Sequence, residues 1–278
     1  MKIAIVGLGF VGKATLNGLT KDTETILIDP KLGTSSKDLE YFHPDFVFIC
    51  VPTPMGKNGS IDSNIIYSVL DDIEKYCPDT IVILKSTVTP DIIQSLTSDK
   101  KNIVYNPEFL RERTADEDFI NSELIIFGGS LENCKKTADM YKQFTKCKCK
   151  EYQFMPADKA SLLKYTVNSF LATKVLFFNE IYKLFEGLDL NMSWEEFITI
   201  LQIDPRIGKS HMQVPGPDGK HGFGGACFPK DTNALFQFSK SAGSNLELLK
   251  NAIEINNGIR SSYNDLDKRE KEQNVQFN

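Results

Sequence analysis

A short apolar run, Lys2-Ile3-Ala4-Ile5-Val6, ends in Gly7-Leu8-Gly9-Phe10-Val11-Gly12 and passes directly into the helix-compatible stretch Lys13 to Leu19. Each glycine in this opening meets a separate need. Gly7 allows a tight turn, Gly9 lets backbone approach a pyrophosphate, and Gly12 lets helix pack closely on strand. The phosphates would rest on the helix N-terminus. A second apolar run, Thr25-Ile26-Leu27-Ile28, ends on Asp29, close to the spacing of about 20 residues at which a ribose-binding acid follows such a turn. A carboxylate there accepts hydrogen bonds from a free ribose 2′-hydroxyl and repels a 2′-phosphate, which favours NAD over NADP. Gly7, Gly9, Phe10, Val11, Gly12 and Asp29 are therefore expected to contact the cofactor. The competing reading is a strand, turn and helix that merely pack, with Asp29 solvated.

The pattern continues. Asp45 to Val51 and Thr80 to Leu84 are further buried-strand candidates separated by a helix-like stretch from about Ser63 to Tyr76, and Asn102 to Tyr105 and Glu123 to Gly128 complete the set. Strands alternating with helices imply a parallel sheet covered on both faces, a Rossmann-type α/β domain over residues 1–155. Ligands bind at the carboxyl ends of such strands. Those ends carry Pro52-Thr53-Pro54, Lys85-Ser86-Thr87-Val88 and Asn106-Pro107-Glu108-Phe109-Leu110-Arg111-Glu112. Glu108 and Glu112 are surface charges by residue type alone, but their place in a strand-end loop points to the site.

The second half is helical. From about Asp158 to Glu186 apolar residues recur at helical spacing without proline or glycine. Within this long helix Lys164 and Asn168 stand one turn apart on one face, able to point at one ligand or to form a solvated polar pair. A second helix, Ser193 to Leu201, starts with Ser193 as N-cap and Glu195-Glu196 in its first turn. The Gly- and Pro-rich loop Lys209 to Gly225 then delivers Gly-Phe-Gly-Gly-Ala-Cys-Phe-Pro-Lys-Asp, residues 222–231. Cys227 sits there between a flexible loop and the Lys230/Asp231 pair. A thiolate becomes a good nucleophile when nearby positive charge or hydrogen-bond donors stabilise it, and Lys230 is close in sequence. The alternative is a small buried hydrophobe in a glycine-rich turn. Asp231 to Ala242 and Asn245 to Ile259 are helical again, giving a helical domain over 156–262. Residues 263–278 form a charged tail in which Asp267 to Glu272 reads as a solvated or frayed helix end.

Composition excludes several classes. A chain of 278 residues with 41% hydrophobic and 25% charged residues is an ordinary globular protein of about two domains. The net charge of −5, with both signs interspersed, offers no basic stripe for nucleic acid. No apolar run approaches the roughly 20 residues that cross a bilayer, and the N-terminus lacks a signal-peptide pattern, so a cytoplasmic protein is expected. Six cysteines without a C-x-x-C pair and three histidines give no zinc-ligand spacing. No metal site and no disulfide framework are expected.

Taken in order, the chain resembles the UDP-glucose/GDP-mannose dehydrogenase family. The matching residues are Gly7 to Gly12, Lys85 to Val88, Asn106 to Glu112, Lys164 to Lys174, Asn179-Glu180, Asp204-Pro205-Arg206-Ile207-Gly208 and Gly222 to Asp231. The resemblance implies oxidation of a nucleotide sugar's C6 alcohol to the carboxylate, as in UDP-glucose to UDP-glucuronate, using two NAD and one cysteine. Cys227 would trap the aldehyde as a thiohemiacetal, and a second oxidation would leave a thioester for water to cleave. By the same resemblance Lys164 stabilises the developing oxyanion with Asn168 as its hydrogen-bonding partner. Asp231 works with that lysine in proton transfer, and Glu108 is the base for thioester hydrolysis. Thr87 and Glu112 lie near the nicotinamide, Lys230 beside the cofactor phosphates, and Thr53 with the cofactor. Phe109, Leu110, Phe223 and Gly224 line the sugar site. Arg206 reaches the substrate of a neighbouring subunit, which implies a homodimer built on the long helix.

Departures accompany the likeness. Family members continue into a second nucleotide-type fold that covers the UDP half of the substrate, whereas this chain stops soon after Asn256-Asn257. A separate chain supplying that part, or an idle NAD-binding or dimerisation module partnering a longer relative, is the alternative to an enzyme active alone. Arg113 stands where glycine is common in the family, and the loop from Ser210 to His221 is longer. GDP-mannose and UDP-N-acetyl sugars are the alternative substrates.

Overall fold

The computed structural model describes residues 1–99, 102–188, 191–263 and 265–277. β1 (Lys2–Val6) leads through the glycine turn into α1 (Phe10–Gly18). There follow β2 (Glu24–Ile28), α2 (Leu39–Phe42), β3 (Phe46–Ile49), α3 (Asn64–Tyr76), β4 (Ile81–Leu84), α4 (Pro90–Asp99) and β5 (Ile103–Tyr105). After them come α5 (Ala115–Ile120), β6 (Ile126–Gly128), α6 (Leu131–Phe144) and β7 (Gln153–Met155). The rest is helical: α7 (Ala157–Glu186), α8 (Trp194–Leu201), α9 (Phe228–Ser241), α10 (Glu247–Arg260) and α11 (Lys268–Glu272).

The seven strands form one sheet in the order β2-β1-β3-β4-β5-β6-β7. The first five are mutually parallel. The all-parallel expectation is corrected at one seam, where β6 runs antiparallel to β5 through Tyr105 and Gly128; β7, absent from the sequence reading, then pairs parallel with β6. Alternate residues of each strand enter opposite cores. Ala4, Val6, Val47 and Ile49 pack with Ile66, Leu70 and Ile73 of α3, while Ile3, Ile5, Phe46 and Phe48 pack with Ala138 and Tyr141 of α6. Burial on both faces is why these strands read as unbroken apolar runs.

By contacts the chain divides into two compact units. One comprises Met1–Thr53 and Asp62–Lys164, the other Pro54–Ile61 and Tyr165–Asn278. The division falls inside α7, which at 30 residues is about 45 Å long. In the second unit, Phe178, Phe185, Trp194 and Ile198 form one core cluster, and Tyr165, Leu235, Leu249 and Ile253 another. α8 begins with the expected N-cap, Ser193, in a reciprocal capping box: Glu196 N–H donates to Ser193 Oγ at 3.2 Å and Ser193 N–H to Glu196 Oε2 at 2.8 Å. The charged segment Asp267 to Glu272 forms a short helix whose charges are mostly exposed, with one exception: Glu270 is 2% exposed, as is Val275 just beyond it. Among the described residues no helix is long and apolar enough to cross a membrane.

Candidate active site

The carboxyl ends of the parallel strands carry the first group of candidate residues. Gly7 has φ +91°, its N–H donates to Ile28 O at 2.8 Å, and a Cβ there would lie 2.6 Å from Cys50 O. A Cβ at Gly12 would lie 2.0 Å from Gly7 O, so no larger residue lets α1 start this close to β1. Gly9 is different. Nothing lies within 4 Å of where its Cβ would be, which leaves the space a phosphate would enter at the start of α1. Phe10 and Val11 are half-buried in the first turn of that helix.

Asp29 stands at the end of β2. Its Oδ2 accepts the Leu8 N–H at 2.8 Å and its Oδ1 the Lys31 N–H at 2.9 Å, so the carboxylate braces the glycine turn. Each oxygen keeps a lone pair for a ribose hydroxyl. An open approach at Gly9, an acid at the β2 end and a helix N-terminus fit NAD. Thr53 is buried and Thr87 half-buried in the next two strand-end loops, whereas Glu112 and Arg113 are exposed.

Below these loops lies a buried polar network. Lys85 donates to Asn106 Oδ1 at 2.8 Å, Tyr141 donates to the same oxygen at 2.6 Å, and Asn106 Nδ2 donates to Ile126 O at 2.9 Å. Burial pulls the Lys85 ammonium below its usual range, against the opposing pull of Cys50 and Glu108. Asn106 thereby anchors the loop that presents Glu108. That glutamate accepts the Leu110 N–H at 2.6 Å, and Lys164 of α7 donates to its main-chain oxygen while standing 3.4 Å from its Oε1. Lys164 also sits 5.1 Å from the centre of the Phe109 ring. Lys164 and Glu108 are both buried.

The second unit holds the other group. Cys227, half-buried and outside any disulfide, is the N-cap of α9, and its carbonyl accepts the Asp231 N–H at 2.8 Å. The positive end of α9 favours negative charge at that position. Lys230 is turned to its neighbour: its Nζ lies 2.6 Å from Asp231 Oδ1, and Asn168 Nδ2 donates to Asp231 Oδ2 at 2.6 Å. Asn168, Lys230 and Asp231 are all buried, so α7 and the first turn of α9 are joined by a desolvated amide–carboxylate–ammonium chain. Phe223 is buried in the preceding loop, and Gly224 rests on the Arg260 guanidinium, which a Cβ would approach to 2.5 Å. Arg206 is exposed and held in a forked pair by Asp204, its Nη2 2.6 Å from Asp204 Oδ2.

Within the first unit, then, Gly7 to Gly12 meet Asp29, and Lys164 meets Glu108; within the second, Asn168, Lys230 and Asp231 meet each other. Lys164 and Asn168, one turn apart on α7, engage different carboxylates rather than each other. Two supports escaped the sequence reading: the Lys85–Asn106–Tyr141 network and the side chains, Glu270 among them, that hold residues 222–225. Lys85 and Asn106 were visible only as motif letters, and Tyr141 lies in a helix with no chemical signature. Among the described residues no group of three or more His, Cys, Asp or Glu could hold a metal ion.

A mostly parallel sheet with an open glycine turn and an acid after its second strand, followed in the chain by a helical unit with a cysteine at a helix start, is a dinucleotide-binding class of architecture. Residues 30–145 match the NAD binding domain of the UDP-glucose/GDP-mannose dehydrogenase family, and residues 158–258 match the central domain of the same family. The chain belongs to that family, and NAD is the cofactor of the matched domain. The glycine turn precedes the matched stretch and rests on its own geometry. The chain is 33% identical over 226 residues to the UDP-glucose 6-dehydrogenase of Rickettsia prowazekii, covering 78% of this chain and 50% of that protein. It is 35% identical over 224 residues to the UDP-glucose 6-dehydrogenase YwqF of Bacillus subtilis, covering 77% and 48%. Among solved structures, a UDP-glucose dehydrogenase from Pyrobaculum islandicum superposes with a TM-score of 0.75 at 25% identity, covering 92% of this chain and 67% of that one. The chain thus spans about half the length of the curated relatives it matches.

Proposed function

We propose that this chain is an NAD-dependent nucleotide-sugar dehydrogenase that oxidises the C6 alcohol of UDP-glucose to the carboxylate through Cys227. The observation that carries the reading is the half-buried thiol at the start of α9, followed within one turn by a buried Asp231 that is tied to Asn168 and Lys230. The names of the relatives support the substrate. The glycine turn and Asp29 would hold NAD, and two NAD molecules bound in turn would accept the two hydrides. Lys164, buried beside Glu108, stabilises negative charge on the substrate oxygen as the alcohol gives its proton through water to Asp231 and its carbon gives up a first hydride to leave the aldehyde. The Cys227 thiolate adds to the aldehyde carbon, forming a carbon–sulfur bond and a thiohemiacetal oxyanion. Loss of a second hydride from that carbon leaves the thioester. Glu108 takes a proton from water, the water oxygen attacks the thioester carbon, and the thiolate leaves as the carboxylate forms.

Two NADH per sugar oxidised by the 278-residue chain alone, and loss of net turnover in Cys227→Ser, are the expected results. No NADH from any nucleotide sugar, alone or with a partner chain, refutes the proposal; faster turnover of GDP-mannose or a UDP-N-acetyl sugar moves the substrate within the class. NAD binding without turnover, together with a stable complex with a longer relative, favours the idle-module reading, which the chain's partial coverage of its relatives motivates. A homodimer through α7 is part of the proposal. Phe170, Phe177 and Leu184 recur every seven residues and are 65%, 55% and 61% exposed, an apolar stripe of the kind a second helix covers. Arg206, exposed on the same unit, is the residue proposed to reach the partner's substrate. Six cysteines outside disulfides suit a reducing, cytoplasmic setting.

A further inference from the structure

The loop that ends at Cys227 is held by side chains from three elements. Asn179 of α7 accepts the Gly222 N–H at 3.0 Å. Asn256 of α10 accepts the Phe223 N–H at 2.7 Å and donates to the Phe223 carbonyl at 2.9 Å. Arg260 donates to the Gly222 carbonyl at 2.9 Å while paired with Asp218 at 2.6 Å. The remaining contact comes from the charged segment near the end of the chain: Glu270 Oε1 accepts the Gly225 N–H at 2.9 Å, and Glu270 Oε2 accepts the Asp267 N–H at 2.9 Å.

The second of these bonds does not explain why Glu270 is buried. Glu196 plays the same capping part at α8 while exposed, so a capping box needs no desolvated carboxylate. Burying a carboxylate is unfavourable unless hydrogen bonds compensate it. Here the compensation is the N–H of Gly225, a residue at φ +78° two positions before Cys227. Further ties fasten the same segment: the His221 N–H donates to Tyr263 Oη at 3.0 Å, Lys220 pairs with Asp265 at 2.9 Å, and the Met55 N–H donates to Gln273 O at 2.8 Å. The anchorage is therefore that of a packed element, not of a tail that happens to touch the loop.

We propose that Glu270 is a positioning residue for Cys227: by holding the Gly225 N–H it fixes the left-handed turn from which the nucleophile enters α9. The proposal rests on the reading of Cys227 as the nucleophile, so its test includes measurements that need no turnover. In purified Glu270→Ala, amide exchange of the peptide covering residues 222–231 rises about fivefold, the loss of one hydrogen bond. Iodoacetamide modification of Cys227, mapped by mass spectrometry without NAD or sugar, speeds up about threefold as the loop loosens. kcat for NADH formation falls while KM for NAD is unchanged. Glu270→Gln, which keeps a side-chain carbonyl at the same reach, restores all three values, separating position from charge. Should the alanine variant not fold, Glu270→Asp, which shortens the arm by one methylene, carries the same expectations. Exchange and alkylation unchanged in the variant that folds overturn the proposal. Altered alkylation in a chain whose parent makes no NADH upholds the positioning role and refutes the dehydrogenase reading alone.

Discussion

Among the described residues the six cysteines stand outside disulfides, and their surroundings divide them by reactivity. Desolvation pushes the Cys50 thiol up to about 12 despite the nearby Lys85 ammonium, and pushes Cys77 and Cys134 up to about 11. At pH 8 a soluble alkylating reagent is therefore expected to label Cys227 and leave Cys50 intact, as peptide mapping would show. Burial of Cys50 also makes stability depend on pH. Between about pH 9, where the unfolded thiol ionises, and about 12, where the folded one does, the unfolded chain binds fewer protons. Stability present below pH 9 is lost as pH rises through that window. From pH 8 to 10 the parent should lose about 1 kcal/mol more than Cys50→Ala in urea titrations. Gly12 offers a steric counterpart, since a methyl placed 2.0 Å from the Gly7 carbonyl cannot be relieved by a side-chain rotation. Gly12→Ala should cost about 2 kcal/mol or more and abolish NAD binding measured by calorimetry. Gly7, Gly9, Gly12 and Asp29 were legible in sequence because each has a backbone or charge requirement that few residue types meet. Tyr141 was not, because its hydroxyl acts on Asn106, a partner 35 positions away that no local pattern announces.

At the level of elements, long and strongly patterned segments were readable and short ones were not. α7 begins within one residue of its expected start, because thirty residues without a breaker leave little choice. The Ser193 cap followed from its chemistry, and Ser193→Ala should cost about 1 kcal/mol in thermal unfolding while leaving NAD affinity unchanged. β7 spans three residues of which two are exposed, so it lacks the apolar run that marks a buried strand. The reversal of β6 was equally hidden, since a short buried run reads the same for either strand direction. α11 misled because its charges suggest solvent, whereas the structure spends one of them, Glu270, on a buried backbone donor. Helix composition reports the average environment of a segment, and one inward-facing carboxylate barely changes that average.

For the molecule as a whole, the apolar stripe on α7 is the feature most exposed to test. Phe177→Glu should convert a sedimenting dimer to a monomer without changing the far-UV spectrum, and a parent that already sediments as a monomer at micromolar concentration would disprove the proposed assembly. Neither compact unit is a continuous stretch of chain. Residues Pro54–Ile61 interrupt the first and belong to the second, where Met55 and Ile61 are buried and the Met55 amide meets Gln273. A ribosome therefore releases Met55 well before Gln273, the residue its amide meets. Until those later residues emerge, the nascent chain carries a segment whose Met55 amide and Ile61 side chain lack their native partners. Cutting the gene between residues 164 and 165 would make that temporary condition permanent in one product and leave the other without the segment that supplies Ile61 to its core.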